Sequence, residues 1–183
     1  IPSYYSQDSQ QERGIPMYKG VYGRKDRLVQ QKRHDVYRNG RKLPEPTVCP
    51  DCDAVFTGGR WAWLKEAVDP VSESRCPACQ RINDNLPAGI IEVQGSFVEA
   101  HREEVIGLIR NTESLEKGAH PLERIMTIED QDHGLAITTT GVHVARRIGD
   151  ALSRSYQGNL SFTYGDAEKS IQVTWARDEN PDD

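Results

Sequence analysis

With 183 residues, 36% of them hydrophobic and 28% charged, the chain has room for one sizeable domain, or for a small domain and a larger one. This composition places part of it outside any packed core. No apolar run approaches the roughly 20 residues that a bilayer-spanning helix needs, and no secretory signal pattern is visible in a sequence that begins at Ile1. The formal net charge of −5 conceals a split: residues 1–43 hold ten Lys/Arg against four Asp/Glu, net +6, and residues 44–183 hold thirteen against twenty-four, net −11. A basic arm on an acidic body predicts a polyanionic partner for the arm, while the acidic body keeps the rest of the chain from clinging to that partner indiscriminately.

Residues 1–47 show almost no hydrophobic periodicity but contain five of the seven tyrosines: Tyr4, Tyr5, Tyr18, Tyr22 and Tyr37. Residues 25–38 lack Gly and Pro and can form a helix. Its only large aliphatics are Leu28, Val29 and Val36, so its apolar stripe is too thin to hold it without a partner. The expectation is an extended basic N-terminal arm, disordered when free.

Residues 48–87 carry all four cysteines, as Cys49-Pro50-Asp51-Cys52 and Cys76-Pro77-Ala78-Cys79. Two residues between cysteines let both thiolates face one ion across a tight turn, and two such turns complete a tetrahedron with metal–sulfur distances of about 2.3 Å. Cysteines clustered this closely point to a metal in a reducing, cytoplasmic compartment rather than to disulfides. Structural zinc is the predicted cofactor: four thiolates leave no open position for catalysis, and metal binding becomes part of the folding free energy. The competing reading, a dithiol redox site, requires a pair that opens a helix after a strand in a βαβ unit, a placement expected for neither pair. Between the pairs, the stretch from Ala54 to Trp63 reads as a hairpin around Gly58-Gly59, and Leu64 to Val68 as an added helical turn.

Residues 88–176 carry the strongest periodic signals. Gly89 to Val93 is a strand. Ser96 with Glu99 forms a capping box for a helix whose buried stripe is Val98, Val105, Leu108, Ile109, Thr112 and Leu115, ending near Gly118 and Pro121. Arg124 to Glu129 and Leu135 to Thr139 are strands joined by a turn at Asp130 to Gly134. Thr140 caps a second helix with Val144, Ala145, Ile148, Leu152 and Tyr156 inward, stopped by Gly158. Strands Leu160 to Tyr164 and Ser170 to Trp175 follow, and residues 177–183 form an acidic, unstructured end. The predicted fold is α+β: a small four-cysteine zinc module and then a ferredoxin-like βαββαβ(β) domain, the first six elements matching the split βαβ pattern.

The arm supplies candidate RNA-binding residues: Lys19, Arg24, Lys25, Arg27, Lys32, Arg33, Arg38, Arg41 and Lys42 to neutralise phosphates, and Tyr18, Tyr22 and Tyr37 to stack on unpaired bases. A merely solvated tail is the bland alternative, but such tails are poor in aromatics. Arg146 and Arg147 on the second helix are further candidates, balanced against an ordinary solvated helix face. Trp61, Trp63 and Trp175 are expected in cores, and His101 is expected to be packed. The five histidines show no metal or acid–base spacing. No phosphate-cradling Gly-rich loop, nucleophile elbow or Ser/His/Asp arrangement occurs, so no catalytic residues and no small-molecule substrate are expected. A nuclease or thiol oxidoreductase is the enzymatic alternative, and a protein-binding adaptor the other.

Two stretches resemble the NMD-type protein family, whose archaeal and eukaryotic members are adaptors of the large ribosomal subunit and whose bacterial members are described as affecting ribosome stability and mRNA decay. One stretch is the pair Cys49–Cys52 and Cys76–Cys79, continuing into Arg81-Ile82. The other is LAITTTGVHVARRIGDAL from Leu135 to Leu152, followed by the Tyr164 turn and Ile171 to Trp175. Together they span roughly residues 48–176, and the second is the more specific. The resemblance implies a structural zinc, large-subunit rRNA and ribosomal proteins as partners, and no catalytic residues. Larger family members carry further domains and zinc motifs that this chain lacks, so export duties do not transfer. The implied role is a ribosome-associated factor that occupies a functional site and protects or silences ribosomes, as in hibernation; assembly or quality control fits the same residues.

Overall fold

Gly58 (φ 57°) and Gly59 (φ 74°) both adopt left-handed backbone, the combination that a two-residue hairpin requires and that side chains resist. They join β2 (Val55–Thr57) to β3 (Arg60–Ala62), as the Gly-Gly turn predicts. β1 (Thr47–Val48) pairs antiparallel with β2, and β4 (Ser72–Glu73) pairs parallel with β1, giving the order β3-β2-β1-β4. The Glu45 carboxylate accepts the amide N–H groups of Gly58 (2.8 Å) and Gly59 (3.2 Å), so the end of the segment assigned to the arm fastens this hairpin. Cys76 leads into α1 (Pro77–Asp84). No helix forms among the described residues of 64–68.

The computed structural model describes Tyr37 and residues 43–66, 68–165 and 170–179. The expectations for residues 1–36, 38–42 and 180–183 lie outside the described residues.

The larger domain runs β5 (Gly89–Gln94), α2 (Ser96–Ala100), α3 (Arg102–Ala119), β6 (Ile125–Gln131), β7 (Gly134–Thr139), α4 (Val142–Tyr156), β8 (Asn159–Tyr164) and β9 (Ile171–Ala176). Its sheet order is β6-β7-β5-β9-β8. The split βαβ arrangement is present, with β7 antiparallel between β5 and β6. A ferredoxin-like sheet would next seat β8 beside β5. Here β9 takes that place, parallel to β5, and β8 moves to the edge. The difference follows from apolar content: β9 buries Ile171, Val173 and Trp175, whereas β8 offers only Leu160 and Phe162, both partly buried. The strand with more to bury takes the central position.

α3 and α4 cover one face of this sheet, where Val105, Ile109, Val144, Ile148 and Leu152 pack on Ile91, Val93, Ile137, Val173 and Trp175. Strand alternation turns Ile90, Glu92, Thr138, Gln172, Thr174 and Ser161 to the other face. The described residues fall in one compact unit.

Three helix expectations change. The first helix is broken at His101 (φ −115°, ψ 29°), whose ring stacks on Phe97 with centroids 4.4 Å apart. Leu115 is 70% exposed, while Phe97 and Ile106 are buried instead. The predicted capping box does not form: Gly95 (φ 111°) is the cap, Ser96 N–H donates to the Asp178 carboxylate, and Ser96 Oγ accepts Glu179 N–H. Residues 177–179, expected to be unstructured, thus clasp the start of α2, with the Arg177 guanidinium 4.2 Å from the Phe97 ring centroid. At α4, Gly141 is the cap, and the Glu123 carboxylate accepts Val144 N–H at 2.8 Å. Thr140, the predicted cap, instead accepts Arg124 N–H through Oγ1 and donates to the Leu122 carbonyl.

A Cβ on Gly95 would lie on the Arg177 carbonyl, in a backbone conformation that side chains avoid, whereas one on Gly107 in α3 meets nothing. Gly95→Ala is expected to destabilise by about 1–3 kcal/mol and Gly107→Ala to stabilise by about 0.5–1 kcal/mol. Urea unfolding midpoints with saturating zinc check both signs.

Candidate metal centre and the adjoining cleft

The first cysteine turn closes on itself. Cys49 N–H donates to the Ala54 carbonyl and Asp53 N–H to the Cys49 carbonyl, both at 2.9 Å, with Asp53 in left-handed backbone (φ 61°). The second turn is the start of a helix: Cys76 caps α1, its sulfur accepts Cys79 N–H at 3.5 Å, and Pro77 occupies the first turn, where no N–H is needed. This placement differs from the expectation that neither pair opens a helix. It is still not a βαβ redox site, because β4 and β5 belong to different sheets. Cys76 N–H donates to Cys49 Sγ at 3.3 Å, and an Arg75–Asp51 ion pair spans the two turns from outside.

These constraints bring Cys49, Cys52, Cys76 and Cys79 together, all four sulfurs within 4.8 Å of one another and every cysteine free of disulfides. Cys52 and Cys76 sulfurs lie 3.8 Å apart, and a tetrahedron with metal–sulfur bonds of about 2.3 Å has edges of about 3.8 Å. The donor set therefore could hold one metal ion and is compatible with structural zinc.

Arg124, absent from every sequence expectation except as the first residue of a strand, is the residue that ties this centre to the larger domain. It lies 7% exposed between α3 and β6. Its Nε donates to the Pro121 carbonyl at 2.6 Å, Nη1 to Cys79 Sγ at 3.4 Å and Nη2 to Cys52 Sγ at 3.0 Å, with Cys76 Sγ 3.9 Å away. Burial pushes the Cys52 thiol up, but the Arg124 guanidinium, with smaller help from Ala54 and Cys49, outweighs it and brings the thiol down to about 7. Burial pushes Cys79 up to about 11 and raises Cys76 as well. A dication would offset the repulsion among the sulfurs, and its binding would release protons.

Trp63 completes the joint. Its indole N–H donates to the Lys117 carbonyl at 2.6 Å, and the Arg124 guanidinium lies 5.6 Å from its ring centroid. Leu122 packs on the cysteines beside it. The joint walls a cleft of about 800 Å³ lined by Trp61, Arg60 and Arg75 from the cysteine module and by His120 and His143 from the larger domain. The two histidine rings meet edge to face, 6.4 Å between centroids. Their sequence spacing gives no sign of this, because one ends α3 and the other begins α4.

Compared with known protein families and with curated proteins, the chain matches none.

Among the predicted RNA-binding residues, the described ones are Tyr37, Arg146 and Arg147. Tyr37 rests on the cysteine module, its hydroxyl donating to Asp84 at 2.9 Å and its ring 4.6 Å from the Arg81 guanidinium. Arg147 pairs with the nearly buried Glu116 carboxylate at 2.7 Å. Arg146 lies 5.8 Å from the Phe162 ring centroid and 3.8 Å from Asp150. Both arginines are about half exposed but carry intramolecular partners. Trp175 is fully buried, as expected, while Trp61 and Trp63 are only partly covered. His101 is packed on Phe97 and sits between the Glu104 and Glu179 carboxylates. No helix among the described residues is long and apolar enough to cross a membrane.

Partners just outside the ligand shell commonly change metal affinity ten- to a hundredfold. Arg124→Met is expected to speed metal loss from the one-zinc protein to a chromogenic chelator by about that factor, with Arg124→Lys in between. Release unchanged by both variants would detach Arg124 from the centre.

Proposed function

We propose that this protein is a cytoplasmic, non-catalytic, ribosome-associated factor. In this reading a zinc-held body docks on large-subunit rRNA or ribosomal proteins while its basic, tyrosine-bearing arm enters a functional site, protecting or silencing the ribosome. The single observation that carries the reading is the charge split: net +6 over residues 1–43 with five tyrosines, against net −11 over the remainder. Such an arm suits phosphates and unpaired bases together, as folded RNA presents them. The resemblance of residues 48–176 to the NMD-type family supports the ribosome over other RNAs. The clustered sulfur arrangement supports zinc as the ion.

The two faces of the larger domain also bear on the reading. The open sheet face runs from Thr127 and Glu129 across Ala136, Thr138, Ile90, Glu92, Gln172 and Thr174 to Ser161 and Thr163, and these residues include neither a cation nor an aromatic ring. It therefore lacks the stacking platform of sheet-based RNA readers. The metal-side cleft has both. RNA contact by the body is assigned to the cleft side, and the sheet face is left for protein.

Sedimentation of lysates from growing and stationary cells is expected to place the protein with large subunits or whole ribosomes, enriched in stationary phase. Recovery only in the soluble fractions at low salt would end this reading. Alanine at Arg24, Lys25, Arg27, Lys32 and Arg33 together is expected to weaken ribosome binding and flatten its salt dependence, because each lost phosphate contact removes about 0.7–0.9 from the log–log slope.

A further inference from the structure

The cleft between the cysteine module and the larger domain is where the described surface departs from its acidic average. Arg60 is exposed, and its side chain has no hydrogen bond or ion pair among the described residues. Trp61, next to it, is partly exposed; the edge-to-face contact with Phe56 (5.7 Å) props the ring, and its indole N–H has no acceptor among the described residues. His120 stands opposite, its ring nitrogens uncommitted among the described residues, and His143 beside it lies only within 3.9 Å of Glu116. The single carboxylate among the described residues lining the cleft, Glu123, accepts the Val144 N–H of α4 through one of its oxygens. The cleft thus offers a free guanidinium, an aromatic ring and two imidazoles, against one carboxylate that caps α4, on a body of net charge −11 over residues 44–183. Tyr37 and Leu43, which bracket the basic run Arg38, Arg41 and Lys42 in sequence, line the same cleft.

We infer that this cleft binds an unpaired nucleotide of single-stranded RNA, the base against Trp61 and its phosphates at Arg60 and the His120–His143 pair. Stacking on an exposed indole beside an arginine is tolerant of base identity, and a free phosphate contact adds salt dependence. A cleft meant for a basic peptide would gather carboxylates, and the one carboxylate among its described lining residues already caps α4. The inference rests on the RNA-binding reading above but names a site on the folded body, which the end of the arm reaches only through Tyr37 and Leu43.

The test is fluorescence anisotropy of labelled hexaadenylate and hexauridylate with the full zinc-loaded chain. The variants are Trp61→Leu and Arg60→Glu, with Arg110→Glu on the exposed side of α3 as the control. Zinc content and urea midpoint confirm that each variant is folded. The expected result is that both hexamers bind, that Trp61→Leu and Arg60→Glu each weaken binding by roughly fivefold to a hundredfold, and that Arg110→Glu leaves it essentially unchanged. Hexamer affinity indifferent to Trp61 and Arg60 would overturn the cleft, as would preferential binding of an acidic peptide there. If the hexamers bind through Trp61 and Arg60 while the wild-type protein never sediments with ribosomes, the ribosome reading fails and the cleft stands. If the protein sediments with ribosomes and the two variants bind hexamers like wild type, the cleft alone fails.

Discussion

The contact on which the rest depends is the buried guanidinium of Arg124 against the cysteine sulfurs. A guanidinium cannot shed its charge, and taking it out of water is costly unless an opposite charge meets it. Here the opposite charge is thiolate: Cys52 at 3.0 Å, whose thiol Arg124 brings down, with Cys79 at 3.4 Å joining it once a metal takes its proton's place. The cysteines in turn stay ionised in a buried cluster only if positive charge gathers around them. Arg124 supplies part of it, and the start of α1, where Cys76 sits, supplies a further fraction through its helix dipole. A metal ion would provide the remainder. Each partner offsets the burial cost of the others, so the module and its joint to the larger domain form one electrostatic unit, which an ion would complete. Trp63 and Leu122 then add apolar cover to an attachment that charge has already positioned.

That unit explains why a module with a small apolar core can act as a rigid wall. Its own buried cluster is little more than the cysteines, Ala54 and Ala78. The hairpin β2–β3 is short and is fastened at its tip by Glu45. Position and stiffness come from the centre, and so does the orientation of Trp61 and Arg60, which stand on the strand β3. The larger domain is built in the ordinary way, from two helices on one face of a sheet, and contributes the fixed opposite wall through His120 and His143.

Much of this was legible from the residues. The paired Cys-x-x-Cys motifs reported the sulfur cluster, because the spacing itself dictates which way the thiolates face. Gly58-Gly59 reported its turn because the required backbone angles admit little else. The stripe Val144, Ala145, Ile148 and Leu152 reported α4, because one periodic face was buried as a unit. The failures share a cause: each depended on something distant in the chain. Leu115 fits the helical period of α3, but Glu116 takes the buried place beside it, paired with Arg147 of α4, and Leu115 is left exposed. Ser96 looks like a cap, yet the acceptor comes from Asp178, brought round by β9. Arg124 carries no local mark of its sulfur partners, Cys52 and Cys79, which lie far back in the sequence. The seating of β9 rather than β8 beside β5 was decided by a comparison of two strands' apolar content across a completed core.

That last feature sets an order of events when the protein is made. β5 is flanked by β7 and β9, and Gly89 to Gln94 align with Ile171 to Ala176, so the middle of the sheet is closed by the final strand of the described chain. While synthesis proceeds, the cysteine turns and β5 to β7 are available early. One edge of β5, carrying Ile91 and Val93, stays unpaired until Trp175 has emerged. Non-local parallel pairing of this kind is slow, and an apolar strand edge left waiting is a site for mispairing. The clasp of residues 177–179 over α2 is formed just afterwards and acts as the bolt on a door already shut. A nascent chain interrupted before Ile171 would be a sticky hairpin-and-helix fragment with all four cysteines already in place, so the hazard in making this protein is concentrated in the arrival of β9.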